Sequence, residues 1–257
     1  MGHGFNYETR DGAFTDRFLP SYATIPLVGQ NSTPGLTPSF AVEKATLQNN
    51  ALNACVIGLA GRFALSTWKI GRFNAATNAF EDATVSFQGG TPLALPFIAN
   101  DGFIFLVPDV VNLLDISMLG GSAGGVYEVA YSNSAGGWTV IPTTSFLVPN
   151  DLNVTGEQLI WFNAPPDFGR TTAALVTNIP VGHYAIRIRA TTLPAAAVSI
   201  SALVPGRAFY NASGVASGSI YNTDGEEIIF PSGCDALSFV ISEASVMNWG
   251  TILFRRV

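Results

Sequence analysis

The sequence predicts an all-β protein: an antiparallel β-sandwich or jelly-roll, with an extended N-terminal arm and a C-terminal β region. Three observations carry this. Short runs rich in Val, Ile, Phe and Tyr recur along the chain, separated by Gly, Pro and Asn turns. The run Gly102-Phe103-Ile104-Phe105-Leu106-Val107 has no polar side chain, so both of its faces need cover and a second layer must pack on it. In Tyr184-Ala185-Ile186-Arg187-Ile188-Arg189 the pattern alternates, with Tyr184, Ile186 and Ile188 on a core-facing side and two guanidiniums on the other.

Taken in order, residues 1–39 read as the arm. Pro20, Pro26, Pro34 and Pro38 oppose a helix and remove ladder donors. The segment still carries Phe5, Tyr7, Phe14, Phe18 and Tyr22, which a solvated linker would not, so it should lie on its own domain or on a neighbouring subunit. Those five aromatics are the candidate partner-binding residues. Residues 40–192 are expected to form the sandwich domain, with helix and strand both open over 40–60, where Val42, Leu47, Ala51, Cys55 and Leu59 fall near a helical stripe. Beyond that stretch the expected strands are Phe63–Ile70, Thr84–Gln88, Phe103–Val107, Val126–Tyr131, Gln158–Phe162 and Tyr184–Ala190. Residues 193–257 form the C-terminal β region that completes or packs on the sandwich, with strands at Val198–Leu203, Glu227–Phe230, Leu237–Ile241 and Thr251–Phe254.

Composition narrows the function. Only 12% of residues are charged and just two are lysines, Lys44 and Lys69, which fits a surface covered by partners, since interface cores are depleted in Lys and Glu. A net charge of −6 with no basic cluster beyond Arg255-Arg256 argues against nucleic acid. No apolar run reaches the roughly 18 residues of a membrane helix. The N-terminus lacks the basic and apolar regions of a signal peptide, so synthesis in the cytoplasm is expected. Cys55 and Cys234 read as free thiols, and no cofactor or metal is expected from two Cys and two His.

No residue pattern reads as catalytic. His183 is a turn-edge or interface histidine, and Gly121-Ser122-Ala123-Gly124 and Ser213-Gly214 are turns. Asp224-Gly225-Glu226-Glu227 reads as a hairpin turn with acidic flanks rather than a carboxylate pair or calcium site. Trp68, Trp138, Trp161 and Trp249 lie in or beside apolar strands and read mostly as core. Phe209, Tyr210 and Tyr221, in a Gly/Ser/Asn-rich loop region over 205–225, are the candidates for an exposed aromatic platform that could bind carbohydrate.

From Val126 to Arg189 the order of motifs is distinctive: Val126-Tyr127-Glu128-Val129-Ala130-Tyr131, then Gly136-Gly137-Trp138, Asp151-Leu152-Asn153-Val154-Thr155-Gly156, Leu159-Ile160-Trp161-Phe162, Pro165-Pro166-Asp167-Phe168 and Gly182-His183-Tyr184-Ala185-Ile186-Arg187-Ile188-Arg189. This stretch, within about 78–191, resembles a β-sandwich module that recurs in structural proteins of tailed bacteriophages. Related modules tend to carry Trp where this chain has Phe168, and its loop from Gly169 to Pro180 is longer. The resemblance implies a non-enzymatic virion component, a homo-oligomer whose partners are other virion proteins, the major capsid protein or tail components. Its departures leave head, tail or baseplate open; taken with the low charge and the aromatic-bearing arm, the expectation is a capsid decoration or cement protein that clamps neighbouring capsid subunits, with a tail or baseplate adhesin for host-surface carbohydrate as the alternative.

Overall fold

Residues 102–107 set the layout, because a strand without a polar side chain must be covered twice. The computed structural model describes residues 7–14, 25–26, 40–49, 53–94, 98–120, 124–148, 152–228, 233–242 and 248–256. Over 7–14, 25–26, 40–47, 210–212, 221–228, 235–239 and 248–256 it describes the backbone. The elements are β1 (Tyr7–Phe14), β2 (Ile25–Pro26), β3 (Phe40–Gln48), β4 (Cys55–Phe63), β5 (Lys69–Asn74), β6 (Ala79–Asp82), α1 (Thr84–Gln88), β7 (Leu93–Ala94), β8 (Gly102–Val107) and β9 (Leu113–Leu119). They continue with β10 (Val126–Ser132), β11 (Trp138–Val140), β12 (Phe146–Val148), β13 (Gly156–Phe162), β14 (Tyr184–Thr192), β15 (Ser199–Val215), β16 (Ile220–Ile228), β17 (Cys234–Ile241) and β18 (Asn248–Arg256). The protein is an all-β antiparallel sandwich.

The chain divides into two compact units. In Leu65–Pro205, a six-stranded sheet has the order β11-β10-β14-β8-β5-β6, and a second layer is built from β12, β13, β9 and the first part of β15, with β7 on β15. All six residues of β8 are buried. One of its faces carries Phe103, Phe105 and Val107 beside Ile186 and Ile188, each at most 2% exposed. On its other face Ile104 and Leu106 pack with Phe73, Phe80 and Ala185 beneath Leu175, Val176 and Ile179. The long loop noted in the sequence is therefore a cover. It is fastened to the β5–β6 hairpin by Phe80 N–H donating to the Thr177 carbonyl (2.9 Å) and Thr177 N–H donating to that of Asn78 (2.8 Å).

The other unit joins Met1–Ala64 to Gly206–Val257. It holds a four-stranded sheet of order β1-β18-β3-β16, and β4 lying between β15 and β17, with β2 beyond β17. The boundaries expected at 39/40 and 192/193 thus differ from the observed division at 64/65 and 205/206. The cause is pairing at long range: β3 bonds to β18 and β16, and β4 to β15 and β17, all from the far end of the chain. Within 40–60 the described elements are strands, β3 (Phe40–Gln48) and the start of β4 at Cys55.

Three local expectations are corrected. Thr84–Gln88 is a single helical turn rather than a strand. Asp82 Oδ1 accepts the Thr84 N–H (2.8 Å), Thr84 Oγ1 is tied to the Ile70 backbone, and Phe87 alone is buried, edge-on to Trp68 at 6.2 Å, while Val85 is 88% exposed. Alternation over so short a run does not separate the two periods. Phe63–Ile70 is broken by a 3-10 turn at Leu65–Thr67 between β4 and β5. Asp224-Gly225-Glu226-Glu227 is no turn: it lies inside β16, with Asp224 opposite Lys44 and Glu227 opposite Ala41 on β3.

The close approach of β14 to β8 depends on Gly102. A methyl group there would run into the Ile188 carbonyl and the Arg189 Cα on β14. Gly102→Ala is expected to lower stability by about 1–3 kcal/mol, read as a fall in the urea midpoint with an unchanged native far-UV spectrum.

Candidate functional site

Two polar clusters sit on the six-stranded sheet, and strand register builds both. On β10 and β14, Glu128 stands directly opposite Arg189, and Ala130 opposite Arg187. Cross-strand neighbours of opposite charge attract, and Glu128 engages both guanidiniums. Its Oε1 lies 2.7 Å from Arg189 Nε and 3.4 Å from Arg187 Nη2, and its Oε2 accepts from Arg189 Nη2 at 3.0 Å. The Arg187 guanidinium also lies 4.7 Å from the Trp138 ring and 5.1 Å from that of Phe73, a cation held by two aromatics.

The expectation of an outward-facing guanidinium pair is corrected here. Arg187 is only 8% exposed. Burial, and then the like charge of Arg189, push its guanidinium down to about 10, against the opposing pull of Glu128. Trp138 follows the Gly136-Gly137 turn as expected. Gly136 takes a φ of +82°, and Gly137 N–H donates to Asn133 Oδ1 at 2.8 Å. Trp138 is half-buried and rests on Arg187, whereas Trp68 and Trp161 are fully buried, at 3% and 0% exposure.

The Pro165-Pro166-Asp167-Phe168 corner packs against the opposite face of the same strands. Phe168 meets the Tyr131 and Tyr184 rings edge-on at 5.3 and 5.4 Å. Tyr131 donates its hydroxyl to Asp167 Oδ1 at 2.6 Å. Burial and that carboxylate both push the Tyr131 phenol up. His183 is bound into the same region, its N–H donating to Thr171 Oγ1 at 3.1 Å and its Nδ1 lying 3.2 Å from the Val181 carbonyl oxygen.

The second cluster lines a cleft of about 270 Å³ on the β5–β6 hairpin, formed by Arg72, Asn74, Glu81, Ala94, Ile98 and Asp101. Arg72 and Glu81 are opposite one another in register, and among the described residues neither side chain makes an ion pair or hydrogen bond. Asp101 is 2% exposed, and its carboxylate has one protein partner, the Ala75 N–H at 2.7 Å to Oδ1.

The sequence-derived candidates fall elsewhere. Phe5, Phe18 and Tyr22 lie outside the described residues. Tyr7 and Phe14 are the end residues of β1, opposite Arg255 and Asn248 of β18, so this part of the arm lies on its own chain. Phe209, Tyr210 and Tyr221 are on β15 and β16 rather than in a loop, and residues 216–219 make the turn between those strands. Phe209 is half-buried, with the Arg207 guanidinium 5.8 Å from its ring centre. Tyr210 stands opposite Leu59, and Tyr221 opposite Leu47. Ser213-Gly214 is likewise within β15, at a bulge where Gly214 has a φ of +68°. Cys55 and Cys234 are not joined in a disulfide. Among the described residues no group of three or more His, Cys, Asp or Glu is placed to hold a metal, and no helix is long and apolar enough to cross a membrane.

Glu128, Phe73, Arg72, Glu81 and Asp101 were not singled out from sequence. Glu128 carried a signal, as the one charge in an alternating apolar strand, but its partner strand could be known only from the fold. No family model matches the chain, and no curated protein matches it. Among solved structures, it aligns with a chain from the structure of infectious bursal disease virus Gt strain at 10% identity. That alignment covers 99% of this chain and 81% of the other, with a TM-score of 0.22, a level at which likeness carries no argument.

Glu128→Gln strands two guanidiniums, one of them buried, and is expected to cost about 3 kcal/mol in urea unfolding. Arg187→Met, which fills the same slot without a charge, is expected to cost much less. Tyr131 generates a pH effect of defined sign. Its folded pKa is raised, so between the unfolded value of 10.0 and the folded one the native state holds a proton that the unfolded state has lost. Stability from this group is full below pH 10 and falls as pH rises through the folded value. Tyr131→Phe is expected to flatten that fall in alkaline unfolding curves.

Proposed function

We propose that this chain is a non-catalytic structural protein of a tailed-bacteriophage particle, a decoration or cement protein that clamps neighbouring capsid subunits. The observation that carries the reading is the edge strand β1. It pairs on one side with β18 over eight residues, Tyr7 to Phe14, and the sheet order ends with it. Among the described residues nothing pairs with its outer edge, which then presents backbone donors and acceptors for strand addition by a partner, and it belongs to an arm rich in aromatics.

Supporting features are the scarcity of charge and the large apolar side chains left exposed, among them Val85, Ile98, Val181, Leu65 and Ile220 at 57–88%. Such groups gain about 25 cal/mol per Å² of apolar area when a partner covers them, before ordering costs. The motifs that carry the phage resemblance also come together in space. Trp138, Tyr184, Arg187 and the Asp167-Phe168 corner all lie on or against the β10–β14 pair. In this reading the protein is a homo-oligomer, located in the virion, with other virion proteins as partners and neither nucleic acid nor membrane among them. The Arg72–Asp101 cleft favours the adhesin alternative, a tail or baseplate protein that recognises host-surface carbohydrate.

An electron cryo-microscopy map of the native particle tests this. The expected result is the chain on the capsid shell, with the outer edge of β1 against a neighbouring subunit. A position at the tail tip would favour the adhesin, and absence from the particle would overturn both.

A further inference from the structure

The cleft beside β5 and β6 plays no part in the clamping role, yet its chemistry is specific. Arg72 and Glu81 are directly opposed across the β5–β6 ladder, the arrangement in which a guanidinium and a carboxylate ordinarily pair. They do not pair here, and each keeps its hydrogen-bonding capacity toward the cleft. Asn74 commits its Oδ1 to the Thr77 N–H at 3.1 Å and keeps its amide donors. Beside them is Asp101, only 2% exposed, with Oδ1 fixed by the Ala75 N–H and Oδ2 without a hydrogen-bond partner among the described residues. A carboxyl oxygen of so little-exposed a residue, lining a cleft, is placed to accept from a donor that enters.

The lining also says what sort of molecule enters. One guanidinium and two carboxylates surround one volume, so a simple cation meets Arg72 and a simple anion meets Glu81 and Asp101. A hydroxyl both donates and accepts, and two adjacent hydroxyls can bridge the opposed guanidinium and carboxylate. Ile98, 60% exposed, and the exposed Ala94 supply an apolar wall for C–H groups. At about 270 Å³ the space suits one ring of a polyhydroxylated ligand. We infer that this cleft is a binding site for a neutral saccharide unit, with Asp101 and Glu81 accepting from its hydroxyls and Arg72 and Asn74 donating to them. This inference rests on the cleft alone and stands or falls separately from the location of the protein in a particle.

Saturation-transfer NMR on the full-length chain tests it, with glucose, galactose, mannose, N-acetylglucosamine, lactose and maltose as probes and free glycine and lysine as a zwitterion arm. At least one sugar is expected to bind, and about tenfold more weakly to Arg72→Ala and to Asp101→Asn. Glu81→Ala, at an exposed position where the fold is not at stake, is expected to weaken it likewise. No sugar binding, binding of the zwitterions alone, or sugar binding untouched by Arg72→Ala and Glu81→Ala would each overturn the assignment.

Discussion

Burial of β8 on both faces is the constraint that the unit Leu65–Pro205 answers to. Phe103, Ile104, Phe105, Leu106 and Val107 are each at most 2% exposed. A single sheet packed on a single layer would leave Ile104 and Leu106 in water. The loop from Gly169 to Pro180 removes them from it with Leu175, Val176 and Ile179, making a small second core on what would otherwise be a solvated face. Its length, an oddity when read along the chain, is the length needed to cross from the Phe168 corner to the β5–β6 hairpin and return to β14.

That second core explains the state of Arg187. Its strand is the immediate neighbour of β8, so a residue on the loop-covered face of β14 is drawn into the same shelter. A guanidinium is tolerated there because its flat faces lie against Phe73 and Trp138, while Glu128 offsets part of its charge. A lysine would lack both the planarity and the fork geometry that this arrangement uses. The cluster ties β10 to β14. The cleft on β5 and β6 differs in that the opposed side chains of Arg72 and Glu81 are not paired with one another.

The unit containing both chain ends poses a separate problem of sheet edges. The β3 strand is paired on both sides, by β18 and β16, and so is protected, whereas β1 ends its sheet. Natural edge strands are blunted by charge, proline or cover because an open edge recruits other strands. Residues Tyr7–Phe14 include Glu8, Arg10 and Asp11, and no proline. Such an edge is suited to selective rather than indiscriminate pairing.

Composition and period two were sufficient for the all-β class, for β8, β10 and β14 at nearly their observed limits, and for the turn at Gly136-Gly137. These features depend on local backbone preference and on the burial of alternate side chains, which neighbouring residues encode. Asp224-Gly225 shows the limit, since a strong turn signal is overridden by a ladder that pairs Asp224 with Lys44 and Glu226 with Val42 on either side of Gly225. Domain limits, the partner of Arg187 and the grouping of Arg72, Glu81 and Asp101 were decided by the tertiary structure. Each depends on which strand lies beside which, and β3 with β18, β10 with β14 and β4 with β17 are pairs of segments distant in the chain. The sequence determined that Gly102–Val107 must be buried twice; only the fold decided that a loop would do half of the burying and take an arginine with it, because loop closure and strand order are properties of the whole chain.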